Sequence, residues 1–216
     1  MRAHLHSSAA AALLALAAFA LLCASCSSKP APRAGAGDGE ALQAESPLAA
    51  VDWADSTALW TPHVDDLGSA VDTTGGFVRN GALRVHFTLA RRASEAWPFI
   101  ELIFKSPTTF EGTYGVKLTY KCDQALVVKL FQSDFGPAPE GNGSYSLYQN
   151  IVPSSRDWST IKLRFADFVL PGWADDASRQ IPLDLTKSTA LYFTPAIDAT
   201  YGGNTLLEIR GLEFLQ

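Results

Sequence analysis

The sequence predicts an all-β fold, a sandwich or barrel, and three observations carry that prediction. Short runs of alternating apolar and polar residues recur from about residue 49 to the C-terminus. Gly, Pro, Asp and Asn punctuate them, and no stretch among them holds a convincing helical period. Strands without intervening helices argue against βαβ units. The plainest run is Asp157 to Phe168, where Ile161, Leu163 and Phe165 alternate with Thr160, Lys162 and Arg164. Trp158 enters this run as a large apolar residue expected in the core; Asp167 turns the chain and Phe168 returns to the core.

The other elements follow in order. Ala50 to Trp53 reads as an opening strand. Phe77 to Leu83 contains Asn80-Gly81, the strongest short hairpin signal, and Leu83, Val85 and Phe87 then alternate with Arg84, His86 and Thr88. Phe99 to Phe104 is almost continuously apolar, broken by Glu101, and suits a central strand. Val116, Leu118 and Tyr120 alternate with Lys117, Thr119 and Lys121. Leu126–Gln132, Ser146–Val152, Ala190–Thr194 and Leu206–Phe214 complete the set. Leu67–Asp72 and Trp173–Arg179 could each hold one turn of helix.

The Trp158 lead-in and the Phe165-Ala166-Asp167-Phe168 exit resemble the late strand of jelly-roll carbohydrate-binding modules, family 11 and the related domain of complex I intermediate-associated proteins. The ending Leu207 to Phe214 resembles their closing strand, with Glu208 where an Asp is often seen. The resemblance implies a β-sandwich of the jelly-roll, galactose-binding-like kind over residues 49–216. It also implies a structural calcium near the chain ends, where Asp52, Asp65, Asp66 and Glu208 are the acidic residues. No Asp-rich loop with ligand spacing is present, so neither a metal site nor another cofactor is assigned.

The N-terminus reads differently. Ala9 to Leu22 is an apolar run of 14 residues behind Arg2. That is short of the roughly 20 needed to span a bilayer, but it suits a signal-peptide core. Ala24-Ser25-Cys26 resembles the lipobox of bacterial lipoproteins, departing from it by Cys23 where Leu is usual. The expected division is a lipoprotein signal peptide over 1–25, acylation at Cys26, a flexible Ser-, Ala-, Gly- and Pro-rich linker over 26–48, and the β domain over 49–216. An acyl chain such as palmitate on Cys26 would tie the chain to a membrane in the cell envelope. Ser27 in place of Asp implies, by the same resemblance, the outer membrane.

Composition excludes several functions. A net charge of −5 without a basic run disfavours nucleic acid. Three cysteines, two of them N-terminal, build neither a disulfide framework nor a zinc cluster, and Cys122 is expected to pack as a small apolar group. Past the signal segment only His63 and His86 remain, and no Ser sits in a nucleophile elbow. Glu95, Glu101, Asp134, Glu140 and Asp157 are carboxylates of the type glycoside hydrolysis uses, but nothing in the sequence pairs them. No enzyme activity is assigned.

Strand parity points to binding instead. With Val128 and Leu130 in the core, Lys129 and Phe131 face outward; with Leu191 and Phe193 inside, Tyr192 does too. In Ser146–Val152, Tyr148 and Asn150 are assigned outward and Gln149 inward. Trp97, beside Pro98, and Trp173, beside Pro171-Gly172, are expected on loops, where they either rim a cleft or cover the core, and the long connection Asp134–Ser144 lies beside the same face. Aromatic rings among amide and cationic groups suit a sugar, whose C–H faces stack while its hydroxyls hydrogen-bond. The ligand-binding set is therefore Lys129, Phe131, Tyr148, Asn150, Tyr192 and Trp173. The expected protein is a monomeric, membrane-tethered, non-catalytic binder of a polysaccharide, a β-glucan-type chain. The rival expectation is a structural or assembly lipoprotein whose sandwich binds another protein. Expression with a labelled fatty acid checks the anchor: the wild-type chain takes up label and Cys26→Ser does not.

Overall fold

A computed structural model of the chain describes residues 47–48, 56–74, 77–93, 95–135 and 147–216. The alternating runs pair, all antiparallel, into two sheets. Sheet A runs in the order β10 (Ser155–Arg164), β7 (Gly115–Cys122), β12 (Gly203–Leu215), β5 (Ala82–Leu89) and β3 (Ala70–Asp72). Two short strands join it, β1 (Pro47–Leu48) against β12 and β4 (Val78–Arg79) against β5. Sheet B runs β2 (Trp60–Val64), β6 (Ile100–Lys105), β11 (Ser188–Pro195), β8 (Leu126–Gln132) and β9 (Tyr148–Val152). The chain changes sheet at most of its connections, so strands adjacent in sequence seldom pair. β1 takes the sheet back into the last residues of the span assigned to the linker. Residues 1–46, with Cys26, the strand assigned to Ala50–Trp53 and most of the 134–144 connection lie outside the described residues.

Each strand forms where its alternation asks for it. Leu83, Val85 and Phe87 of β5 and Val116, Leu118 and Tyr120 of β7 are buried, between neighbours on the outer face. Asn80 at φ 53° and Gly81 at φ 70° make the turn of the β4–β5 hairpin, the left-handed pair that such a turn requires. In β12 the register against β7 shifts between Ile209 and Gly211. One extra residue, Arg210, thus lets Leu207 and Ile209 before it and Leu212 and Phe214 after it all face the core. Gly115 sits where a Cβ would lie 2.3 Å from the Leu163 carbonyl oxygen, so β7 and β10 can approach there only with glycine.

The core between the sheets is joined by a chain of aromatic rings. Phe193 and Phe104 of sheet B flank Trp60 at 5.6 and 5.0 Å. Phe104 meets Phe214 of sheet A at 6.0 Å, Phe214 meets Phe110 at 4.9 Å, and Phe165 continues the line to Phe168 at 5.7 Å steps. The Arg164 guanidinium grips Asp167 at 2.9 Å through two nitrogens, closing the turn that returns Phe168 inward.

Two expectations are corrected, and one strand, β2, is added. Trp158 is half-buried on the outer face of sheet A, not in the core: it shares parity with Thr160 and Lys162, and its ring lies under the Lys121 ammonium (4.7 Å) and the Arg210 guanidinium (4.5 Å). Leu67–Asp72 is no helical turn; its second half is β3, and Asp65 organises its first half by accepting from the Leu67 N–H and the Ser69 hydroxyl, each at 2.6 Å. β2 escaped notice because Pro62 breaks its pattern, and Pro is tolerated here because β2 is an edge strand. The turn at Trp173–Arg179 does contain a helix, α1 (Asp176–Arg179), capped by Asp175 on the Ser178 N–H at 2.8 Å.

These placements separate two aromatic substitutions. Phe104→Ala, which opens the ring chain, is expected to cost roughly 3–5 kcal/mol in urea unfolding. Trp158→Ala, which removes cation–π contacts at the surface, should cost only about 1 kcal/mol. Equal losses would show that the ring chain does not hold the sheets together.

Candidate binding face

The face of sheet B turned away from the core is built by the residues that alternate with Trp60, Leu102, Phe193, Val128 and Val152. Register aligns them in rows. One row crosses the sheet from Thr61 through Ile103, Tyr192 and Lys129 to Gln149. Val169 extends it beyond β9, exchanging two hydrogen bonds with Gln149 at 2.8 and 2.9 Å. On the neighbouring row His63 stands opposite Glu101, and Thr194 and Ile151 flank Val127.

At the centre of this face is a buried charge. Glu101 is 9% exposed in a run that is otherwise apolar. It accepts from Lys129 Nζ at 2.5 Å and from His63 Nδ1 at 3.1 Å. Burial pushes the Glu101 carboxyl up, but the His63 hydrogen bond and the Lys129 ammonium outweigh it and hold the group below the usual carboxylate range. Because the Glu101 carboxylate can only accept, His63 Nδ1 carries the shared proton, and Nε2 is not engaged by that carboxylate. The Lys129 ammonium has donors beyond the one it gives to Glu101. Glu101 therefore orients an imidazole and an ammonium, whose side chains are each 24% exposed, toward solvent.

The residues proposed from sequence divide between the two sides of the sheet. Lys129, Phe131 and Tyr192 lie on the outer face. Tyr192, at 2% exposure, is covered and packs with Ile103 and Ala190 against Phe131 and Leu147, forming a floor rather than an open ring. Tyr148 and Asn150 face the other way. Tyr148 packs against the main core and donates its hydroxyl to the Ile181 carbonyl at 2.9 Å, while Asn150 Nδ2 reaches the Asp167 carbonyl at 3.4 Å. The outward residues of β9 are Gln149 and Ile151. Parity misled there because the strand puts an amide outward and its aromatic ring inward. Trp173 is 74% exposed in the turn that follows Val169.

Sequence reasoning missed His63, hidden beside Pro62, and took Glu101 only as one carboxylate among several. The available signal was a single charge inside an apolar run: a strand buried on both sides tolerates a carboxylate only if it is paired. Of the acidic residues considered for calcium, Asp52 lies outside the described residues; Asp65 is engaged at the end of sheet B, whereas Glu208 lies 3.9 Å from Arg84 on sheet A. Among the described residues no three His, Cys, Asp or Glu side chains form a metal-binding group. Cys122 is buried with Sγ 3.7 Å from the Thr205 hydroxyl, and burial pushes its thiol up.

Since the Glu101 carboxyl is held low only in the folded state, its contribution to stability is complete above the ordinary carboxylate range near 4.5. It is lost as pH falls through the lower folded value. Glu101→Gln is therefore expected to lower stability at pH 7 by roughly 1.5–3 kcal/mol. Thermal melts recorded from pH 7 to strongly acidic conditions should show the difference from wild type narrowing through that window.

No protein-family model and no curated protein sequence matches the chain. Solved structures do. A family 11 carbohydrate-binding module from Clostridium thermocellum, in complex with a β-1,3-1,4-mixed-linked tetrasaccharide, superposes with a TM-score of 0.50 at 16% identity, covering 79% of this chain and 94% of that one. The family 11 module of the cellulosomal cellulase Lic26A-Cel5E of Clostridium thermocellum gives 0.52 at 15% identity, covering 79% and 93%. The chain thus has the jelly-roll β-sandwich fold found in family 11 carbohydrate-binding modules.

Proposed function

We propose that the chain is a non-catalytic polysaccharide-binding protein whose ligand, a β-glucan-type chain, lies on the outer face of sheet B. The observation that carries this reading is the buried Glu101 held between Lys129 and His63. Desolvating three polar groups on the outside of a sheet is expensive, and a well-packed apolar trio would serve stability at least as well. Such an arrangement is expected where oriented donors and acceptors have a task. Lys129 and His63 Nε2 would meet sugar hydroxyls, with Gln149 beside them on the row. Phe131, supported by the floor beneath it, would meet C–H faces. The mixed-linked tetrasaccharide bound by the structurally similar module supports the ligand class.

The same proposal includes the anchor. Lipid on Cys26 and the linker after it would hold the domain near an envelope membrane, where a binding module without catalysis retains a polymer or the cell beside it.

Calorimetry or affinity electrophoresis across soluble glucans, xylans and mannans tests the reading. Binding of a β-glucan is expected, of modest affinity because a flexible chain must be ordered. Lys129→Ala should weaken it at least about tenfold, or ~1.4 kcal/mol. If no glycan binds, the protein-partner reading takes its place, with the exposed Ile151 and Val169, at 61% and 63%, as the surface to mutate.

A further inference from the structure

Beyond the N-terminal end of β6 stand two exposed rings, two residues apart in the chain. Phe99 is 38% exposed and Trp97 is 62% exposed. Alternation back from Ile103 through Glu101 puts Phe99 on the same face. Both rings are held in place. The Phe99 N–H donates to Asp65 Oδ2 at 2.6 Å, and its carbonyl accepts from the Asp65 N–H at 3.3 Å. Its ring lies 4.9 Å from the His63 imidazole, which Glu101 in turn fixes. Trp97 carries the Arg92 guanidinium 3.8 Å from its ring centre, and the Arg92 N–H donates to the Ala199 carbonyl at 2.7 Å. A cation on one side of an exposed indole leaves the opposite side for another partner.

Phe99, His63, Glu101 and Lys129 thus form one connected series, aromatic at its outer end and charged at its inner end, and Trp97 stands two residues before Phe99 in the chain. Residues two apart on an extended strand stand about 6.8 Å from each other, a spacing on the scale of a single sugar unit. Rings already immobilised lose little entropy when a ligand stacks on them. Tyr192, by contrast, is covered, and Phe131 is partly spent on packing against it.

We infer that Trp97 and Phe99 are the stacking platform of the glycan site and that the sugar chain lies along β6, with His63 and Lys129 hydrogen-bonding its inner units. This rests on the polysaccharide reading above and adds to it the subsite and the direction of the chain. The ligand class is a β-linked glucan, whose sugar units present broad C–H faces to the rings and hydroxyls at their edges.

Titration of the full chain with soluble mixed-linked β-1,3-1,4-glucan tests this. Trp97→Ala and Phe99→Ala are each expected to weaken binding by about tenfold or more. Trp158→Ala, on the opposite sheet, should change it by less than about twofold. Trp97→Phe should keep affinity within about threefold while removing most of the glucan-induced change in tryptophan emission, a readout that does not depend on stability. Melting curves identify any variant that fails to fold; should Phe99→Ala do so, the Trp97 pair decides. Glucan bound equally by wild type and Trp97→Ala overturns the platform and leaves the polysaccharide reading intact. A wild-type chain that binds no glycan overturns that reading, and the platform with it.

Discussion

The two sheets are held together by rings that neither sheet could bury alone. Trp60, Phe104 and Phe193 project from sheet B, Phe214 projects from sheet A, and Phe110, Phe165 and Phe168 come from the connections between strands. Each contact in the series lies at 4.9–6.0 Å, in tilted, stacked or edge-on arrangements. Such pairs contribute about 0.5–1.5 kcal/mol beyond the area they bury. More important is their continuity. Trp60 lies on an edge strand and Phe168 follows the opposite edge of the other sheet, so the series ties distant edges to one core. The bulge at Arg210 serves the same end, because in a strand of unbroken alternation from Leu207 and Ile209 Phe214 would point to solvent.

That anchorage frees the outer faces to carry polar chemistry. With the sheets fixed from within, sheet B can hold a carboxylate at its centre on the other side. Glu101 organises that face as the rings organise the core. It fixes His63 from β2 and Lys129 from β8, strands that do not touch each other in the sheet order β2-β6-β11-β8-β9. Sheet A shows the contrasting arrangement. Its outer face balances Lys117 against Glu213 and Arg84 against Glu208, with Trp158 beneath two cations, an ordinary solvated surface of mutually satisfied groups.

Where sequence reading failed, one local feature outweighed parity. The size of Trp158 suggested a core residue although its neighbours of equal parity, Thr160 and Lys162, are polar. Tyr148 and Asn150 were assigned outward because polarity was weighed over two polar neighbours, and Gln149 made the strand ambiguous. Pro62 concealed β2 and with it His63. In each case the deciding contact lies far along the chain: Arg210 and Lys121 for Trp158, Ile181 for Tyr148, Glu101 for His63.

From sequence alone came the all-β class, most of the strands, the Asn80-Gly81 turn and the core faces of β5, β7, β8 and β11. These depend on a period of two and on turn residues, both local properties of the chain. Tertiary structure alone assembled the Glu101 cluster. His63 and Lys129 are separated from Glu101 by 38 and 28 residues, and only strand order and register bring them to one carboxylate. A period of two says which residues share a side of their own strand; it carries no information about which strand lies next to it.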